Sequence, residues 1–126
     1  MTLLLDSHVF IWWLTDDKRL GPIARATIHD SERVSVSVVT VWEMGIKAAN
    51  GLFNPPSDLS DAIGECGFET RSIDLGDTRI APSLPLHHKD PFDRMLIAQA
   101  LNSKLTILTA DAAFSDYKVS LLEAKR

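Results

Sequence analysis

Four acidic residues stand where an acid meets an apolar segment, and their spacing suggests that they meet one another. Asp6 directly follows Leu3-Leu4-Leu5, and Asp111 comes shortly after Leu105-Thr106-Ile107-Leu108. Glu43 lies four residues after Val39 and three before Ile46, offsets that share one helix face. Asp93 repeats the pattern, three before Leu96 and four before Ile97. A carboxylate on an apolar face is costly unless something satisfies it. Carboxylates brought together repel and raise one another's pKa values unless a cation sits among them. Mg²⁺ takes oxygen ligands of this kind together with water and substrate phosphate, and Mn²⁺ accepts the same donors. The chemistry such a set supports is metal-assisted attack of water on a phosphodiester.

Each acid also has a purely structural account. Asp6 could be a turn acid after a strand, and Asp111 could cap a short helix Ala112–Phe114. Asp90 suits the N-cap of the helix that Pro91 opens, and Asp93 could complete that cap at the third helical position. Glu43 could pair with Lys47 one turn later on an exposed face. Jointly these accounts require all four acids to reach one place by accident.

Neighbouring residues add weaker signals. Ser7 and Thr109 flank the acids and could hydrogen-bond a carboxylate or a metal-bound water. His87-His88-Lys89 and Arg94 gather positive charge around Asp93, as phosphate steering requires. Two adjacent histidines point opposite ways and lack a zinc-ligand spacing. Phe10, Trp12 and Trp13 form an aromatic segment that suits either the core or a partner-binding groove. Cys66, the only cysteine, reads as a small core residue.

The elements that must position these groups are short. Apolar, unalternating runs predict strands at Leu3–Leu5, Val34–Val38, Glu69–Ile73, Leu105–Leu108 and Val119–Leu122. Helical patterns lie between them. One runs from Gly21-Pro22 to about Asp30, and one from Val39 to Asn50 with Gly51 as its stop. Others run from Ser57 or Asp58 to Gly67, from Asp77 to just before Pro85, and onward from an Asp90 cap. Strand alternating with helix predicts an α/β fold, a three-layer α/β/α sandwich around a mostly parallel sheet. Asp6 and Asp111 then fall just past the carboxyl ends of strands, the edge where such sheets bind ligands.

The chain has 126 residues, 45% of them hydrophobic and 24% charged, which predicts one globular domain over 1–126 and argues against disorder. No apolar run is long enough for a membrane span, no basic leader precedes Leu3, and a lone cysteine cannot form an intramolecular disulfide. The expectation is a soluble, cytoplasmic protein. The net charge of −4 means that any action on nucleic acid needs a local basic patch or a bound cation.

The arrangement resembles a PIN domain, specifically a VapC-type toxin of a bacterial toxin–antitoxin pair. The matching segments run in order along nearly the whole chain. They are Leu3 to Val9, Ser37 to Lys47, Leu84 to Ala100 (with Asp90-Pro91-Phe92-Asp93-Arg94-Met95-Leu96-Ile97-Ala98) and Leu108 to Asp111. The resemblance implies a Mg²⁺- or Mn²⁺-dependent endoribonuclease that leaves 5′-phosphate and 3′-hydroxyl ends, with Asp6, Glu43, Asp93 and Asp111 as its acids. Asp93 is preferred to Asp90 because the third acid directly precedes the Arg94-Met95-Leu96-Ile97-Ala98 run, and Asp116 becomes an auxiliary acid. It also implies structured RNA such as tRNA as substrate, an antitoxin partner contacting the Phe10/Trp12/Trp13 region, and a homodimer. Two other classes compete. A phosphotransfer enzyme with Asp6 as nucleophile would favour a second aspartate two residues on, where His8 stands. A non-catalytic binding module would leave the acids as caps.

Overall fold

Leu3, Leu4 and Leu5 are all fully buried, yet they point to different places. Leu3 and Leu5 join one apolar cluster and Leu4 joins the other. That is the period-2 alternation of a strand covered on both faces. A computed structural model describes all 126 residues. In chain order it contains β1 (Thr2–Leu5), α1 (Ser7–Leu14), α2 (Pro22–Asp30), β2 (Arg33–Ser37), α3 (Val38–Ala49) and α4 (Leu59–Glu65). There follow β3 (Glu69–Arg71), α5 (Leu75–Ser83), α6 (Pro91–Ser103), β4 (Thr106–Thr109), a 3₁₀ turn (Ala112–Asp116) and β5 (Leu121–Glu123).

The five strands make one parallel sheet in the order β3-β2-β1-β4-β5. Leu5 stands opposite Val36 on one side and Leu108 on the other, so β1 is the central strand. One face carries Val9 and Phe10 of α1, Ala24 and Ile28 of α2, and Ala62 and Ile63 of α4. The other carries Leu96, Ile97 and Ala100 of α6 with Phe114 and Tyr117. Helix α3 reaches both clusters, through Met44 and Val39 respectively. The expected three-layer architecture is therefore present.

Most predicted elements are found within two residues of their expected bounds. Gly51, at φ +71°, follows α3 in the left-handed conformation that glycine supplies freely. Helix α5 begins at Leu75 rather than Asp77. Asp74 is its N-cap, and the Asp74 and Asp77 side chains each accept the other's backbone N–H. Helix α1 was not expected at all, because Val9, Phe10, Ile11, Trp12 and Trp13 leave it almost no polar face to register a period.

The last residues close the fold against α2. Its N-cap, Gly21, offers no side-chain acceptor, and the carbonyl of Arg126 accepts from Ile23 N (2.8 Å) and Ala24 N (3.3 Å) instead. A Cβ on Gly21 would lie 2.3 Å from the Arg126 carbonyl carbon, so this close approach requires glycine.

Candidate active site

The chain builds β1, β2 and β3 outward in one direction, then returns to lay β4 and β5 on the other side of β1. The order reverses between β1 and β4, and an open parallel sheet binds ligands just beyond the strand ends at such a point. Asp6 follows β1 directly, and Asp111 lies two residues past the end of β4. Helix α3 starts at the same edge because it leaves β2 there, and α6 starts there because it must run back to begin β4.

Asp6 is held from two sides. Its backbone N–H donates to Leu108 O (3.1 Å), continuing the β1–β4 pairing one residue past the strand. Its Oδ1 accepts from Val9 N (2.9 Å) and so caps α1, while Thr109 Oγ1 donates to Oδ2. Asp6 is 4% exposed. Burial pushes its carboxyl above the ordinary aspartate value; the Thr109 and Val9 bonds oppose the rise, and the negative charge of Asp111 adds to it.

Glu43 is buried in α3, not displayed on an exposed face. Ser7 Oγ donates to its Oε1 (2.8 Å) and lies 3.0 Å from Thr40 Oγ1, and Lys47 Nζ sits 3.2 Å from Oε2. Asp90 and Asp93 separate cleanly. Asp90 Oδ1 accepts from Phe92 N (2.8 Å) and Asp93 N (3.2 Å) as the cap of α6, which frees the Asp93 carboxylate from that duty. Asp93 instead meets His88, Nε2 to Oδ2 at 2.7 Å. Burial raises the Asp93 carboxyl to about 6; the His88 bond opposes this, while Asp90 and Glu43 push it further up. Asp111 is exposed and caps the 3₁₀ turn through Ala113 N (2.9 Å). Asp116 closes that turn, exposed and without a bond to any of the four acids.

Arg94 does not steer phosphate. It is buried, and its guanidinium donates to the carbonyls of Ala81, Leu84 and Pro85 (2.9 Å each) and His88 (3.1 Å), and to Tyr117 Oη (3.3 Å). Facing inward, it ties the 84–90 loop to α6. The cations that do reach the site border a cleft of about 320 Å³ lined by Asp6, His8, Trp12, Arg19, Asp111 and Lys125. A larger depression of about 750 Å³ lies at the opposite sheet edge around Pro22, Ile23 and Glu32, where no reactive groups converge.

The expected partner-facing aromatics are largely core. Phe10 is 0% and Trp12 7% exposed because α1 lies flat on the sheet, while Trp13 is half-buried. The exposed aromatic is Trp42, 62% exposed and edge-on to Phe92 at 5.1 Å. Sequence reading passed over Thr40, Tyr117 and the contact of His88 with Asp93. The adjacent histidines were the one signal for the last.

The PIN-domain family model matches residues 3–119. This chain belongs to the PIN-domain family. As a PIN domain it is similar to Ribonuclease VapC22 of Mycobacterium tuberculosis, 22% identical over 93% of this chain and 92% of that protein. It shares its fold with VapBC2 from Rickettsia felis bound to a promoter DNA fragment (TM-score 0.74, 12% identity, 98% of each chain). It also shares it with VapBC-5, a toxin–antitoxin system member from M. tuberculosis (TM-score 0.63, 23% identity, 100% of each chain). No helix of this PIN domain is long and apolar enough to cross a membrane.

The donors are carboxylate oxygens, with Lys47 and His88 as their close basic partners. Such a set fits a hard divalent cation. One ligand atom each from His88, Asp90 and Asp93 lie within 4.8 Å of one another. The raised Asp93 carboxyl has a consequence for stability. A folded value of about 6 against 3.8 favours the folded state below pH 3.8, and that contribution is lost as pH rises through about 6. The difference corresponds to on the order of 3 kcal/mol between ionisation states. In EDTA, raising pH from 4.5 to 7 is expected to cost the wild type more urea resistance than it costs Asp93→Asn. Parallel pH profiles for the two proteins would contradict this.

Proposed function

We propose that this PIN domain is a divalent-metal-dependent endoribonuclease, the toxin of a toxin–antitoxin pair, cutting structured RNA such as tRNA. The observation that carries the reading is that Asp6 and Asp111 lie just past β1 and β4, where the sheet order reverses, with Glu43 bonded to Ser7 beside Asp6 and close enough to Asp93 for its charge to be felt there. The name of the VapC22 relative and those of the toxin–antitoxin neighbours support it.

Asp6, Glu43, Asp93 and Asp111 would hold Mg²⁺ or Mn²⁺. Bound there, the ion supplies Lewis-acid stabilisation of charge building on the phosphoryl oxygens and lowers the pKa of the attacking water. The chain supplies rigidity. Val9 N and Thr109 fix the Asp6 carboxylate, and Ser7 and Lys47 fix Glu43, so neither of these two acids has to reorient when substrate arrives. His8, Arg19 and Lys125 line the cleft beside Asp6 and Asp111 and give a protein of net charge −4 local donors for RNA phosphates. Both Asp6 oxygens already accept hydrogen bonds, which suits a fixed ligand better than the nucleophile of a phosphotransfer enzyme. Exposed Trp42, Ile46 and Leu52 support a protein partner on or beside α3. A homodimer and a cytoplasmic location complete the proposal.

The test is cleavage of total cellular RNA, mapped by sequencing 5′-phosphate ends in Mg²⁺, Mn²⁺ or EDTA. Discrete cuts that require metal are expected. Intact RNA in the presence of folded, metal-bound protein would overturn the reading.

A further inference from the structure

We propose that His88 is the positioning residue of Asp93, holding one carboxylate oxygen so that the other is presented to the cation. The inference rests on the reading of Asp93 as a metal ligand. An ionised carboxylate only accepts hydrogen bonds, so in the 2.7 Å contact His88 Nε2 carries the hydrogen and Asp93 Oδ2 receives it. Asp93 Oδ1 has no hydrogen-bond partner in the protein, because the cap of α6 is made by Asp90.

The histidine is itself fixed. Its backbone nitrogen lies 2.9 Å from Tyr117 Oη, and its carbonyl accepts from Arg94 Nη1 at 3.1 Å. Its ring lies tilted against Phe114, with centroids 6.5 Å apart. Four residues outside the acidic set thus aim one imidazole: Arg94 and Tyr117 hold the backbone, Phe114 flanks the ring, and Pro85 O anchors both Arg94 and Tyr117. An exposed histidine–aspartate pair would contribute little. This one is 24% and 17% exposed at its two side chains and sits on a held backbone, which is how an outer partner orients a ligand. His87, exposed and edge-on to Tyr117, makes no hydrogen bond to any of the acids and serves as the internal control.

The experiment is calorimetric Mn²⁺ titration at one fixed pH of wild type, His88→Phe, His88→Gln and His87→Ala, with near-UV circular dichroism confirming the fold. His88→Phe keeps a ring beside Phe114 but removes the donor, and is expected to weaken Mn²⁺ binding by about 10- to 100-fold. His88→Gln restores an N–H donor and should recover most of that loss, and His87→Ala should match wild type. A purely structural role would lower the melting temperature without moving Mn²⁺ affinity. Wild-type affinity in His88→Phe overturns the assignment. So does nitrogen hyperfine coupling to Mn²⁺ that vanishes in His88→Phe, which would make His88 a ligand itself. Failure of the wild type to bind Mn²⁺ would instead overturn the metal-dependent reading beneath it.

Discussion

Asp6→Asn is expected to lose RNA cleavage by at least about 100- to 1,000-fold, the scale of removing one preorganised electrostatic group, and to make the metal-free protein more stable. The two effects share one cause. Asp6 is buried, with its carboxyl held above the ordinary value, so ionising it costs the folded state more than it costs the unfolded chain. Asparagine is nearly isosteric and caps helices as well as aspartate does, so the bond from Val9 N to Oδ1 survives. The amide can also face Thr109 Oγ1 as a donor. What is lost is the negative charge, which a cation needs and the apo fold does not. Urea midpoints in EDTA at pH 7 should be higher for Asp6→Asn, with the advantage shrinking at acid pH as the wild-type carboxyl is neutralised. Unimpaired cleavage would remove Asp6 from the metal centre; a lower midpoint would mean that its charge is already compensated within the chain.

The second large effect is expected at Arg94. Its guanidinium serves four carbonyls and one hydroxyl, with no carboxylate partner. Replacement by methionine leaves several part-buried carbonyls without their donor, at about 1–3 kcal/mol for each that water cannot reach. That is a large part of the stability of a small domain. Arg94→Lys keeps the charge, but an ammonium has three donors on one atom and cannot span acceptors from Ala81 to His88. Lysine should therefore recover only a minor share. Because the 84–90 loop carries His88 and Asp90, limited proteolysis of the lysine variant should cut there first. Equal urea midpoints for wild type and Arg94→Lys would show that charge alone holds the loop.

The architecture was legible because both faces of the sheet are covered. Leu3-Leu4-Leu5 and Leu105 to Leu108 read as continuous apolar strands, and the acids that end them then had to share an edge. Asp90 and Asp93 were separable because a helix cap and the third helical position have different duties. Helix α1 was illegible for the same reason the strands were clear, since a helix pressed onto a sheet by Val9, Phe10 and Trp12 shows no polar stripe. Arg94 misled because charge near an acid reads as steering, whereas only three dimensions show a ring of carbonyls around it. The roles of Thr109, Ser7 and Thr40 depend on contacts across 103, 36 and 33 residues, and no local pattern encodes those partners.

The longest of these contacts also sets a schedule. Asp6 is made well before its partners: the strand that flanks it and the hydroxyl that fixes it belong to β4, with Thr109 103 positions later. During vectorial synthesis the central strand must wait, paired on one side only, until β4 has emerged. The acids cannot be organised before then, and a product truncated short of Thr109 would carry Asp6, Glu43 and Asp93 without the edge that gathers them.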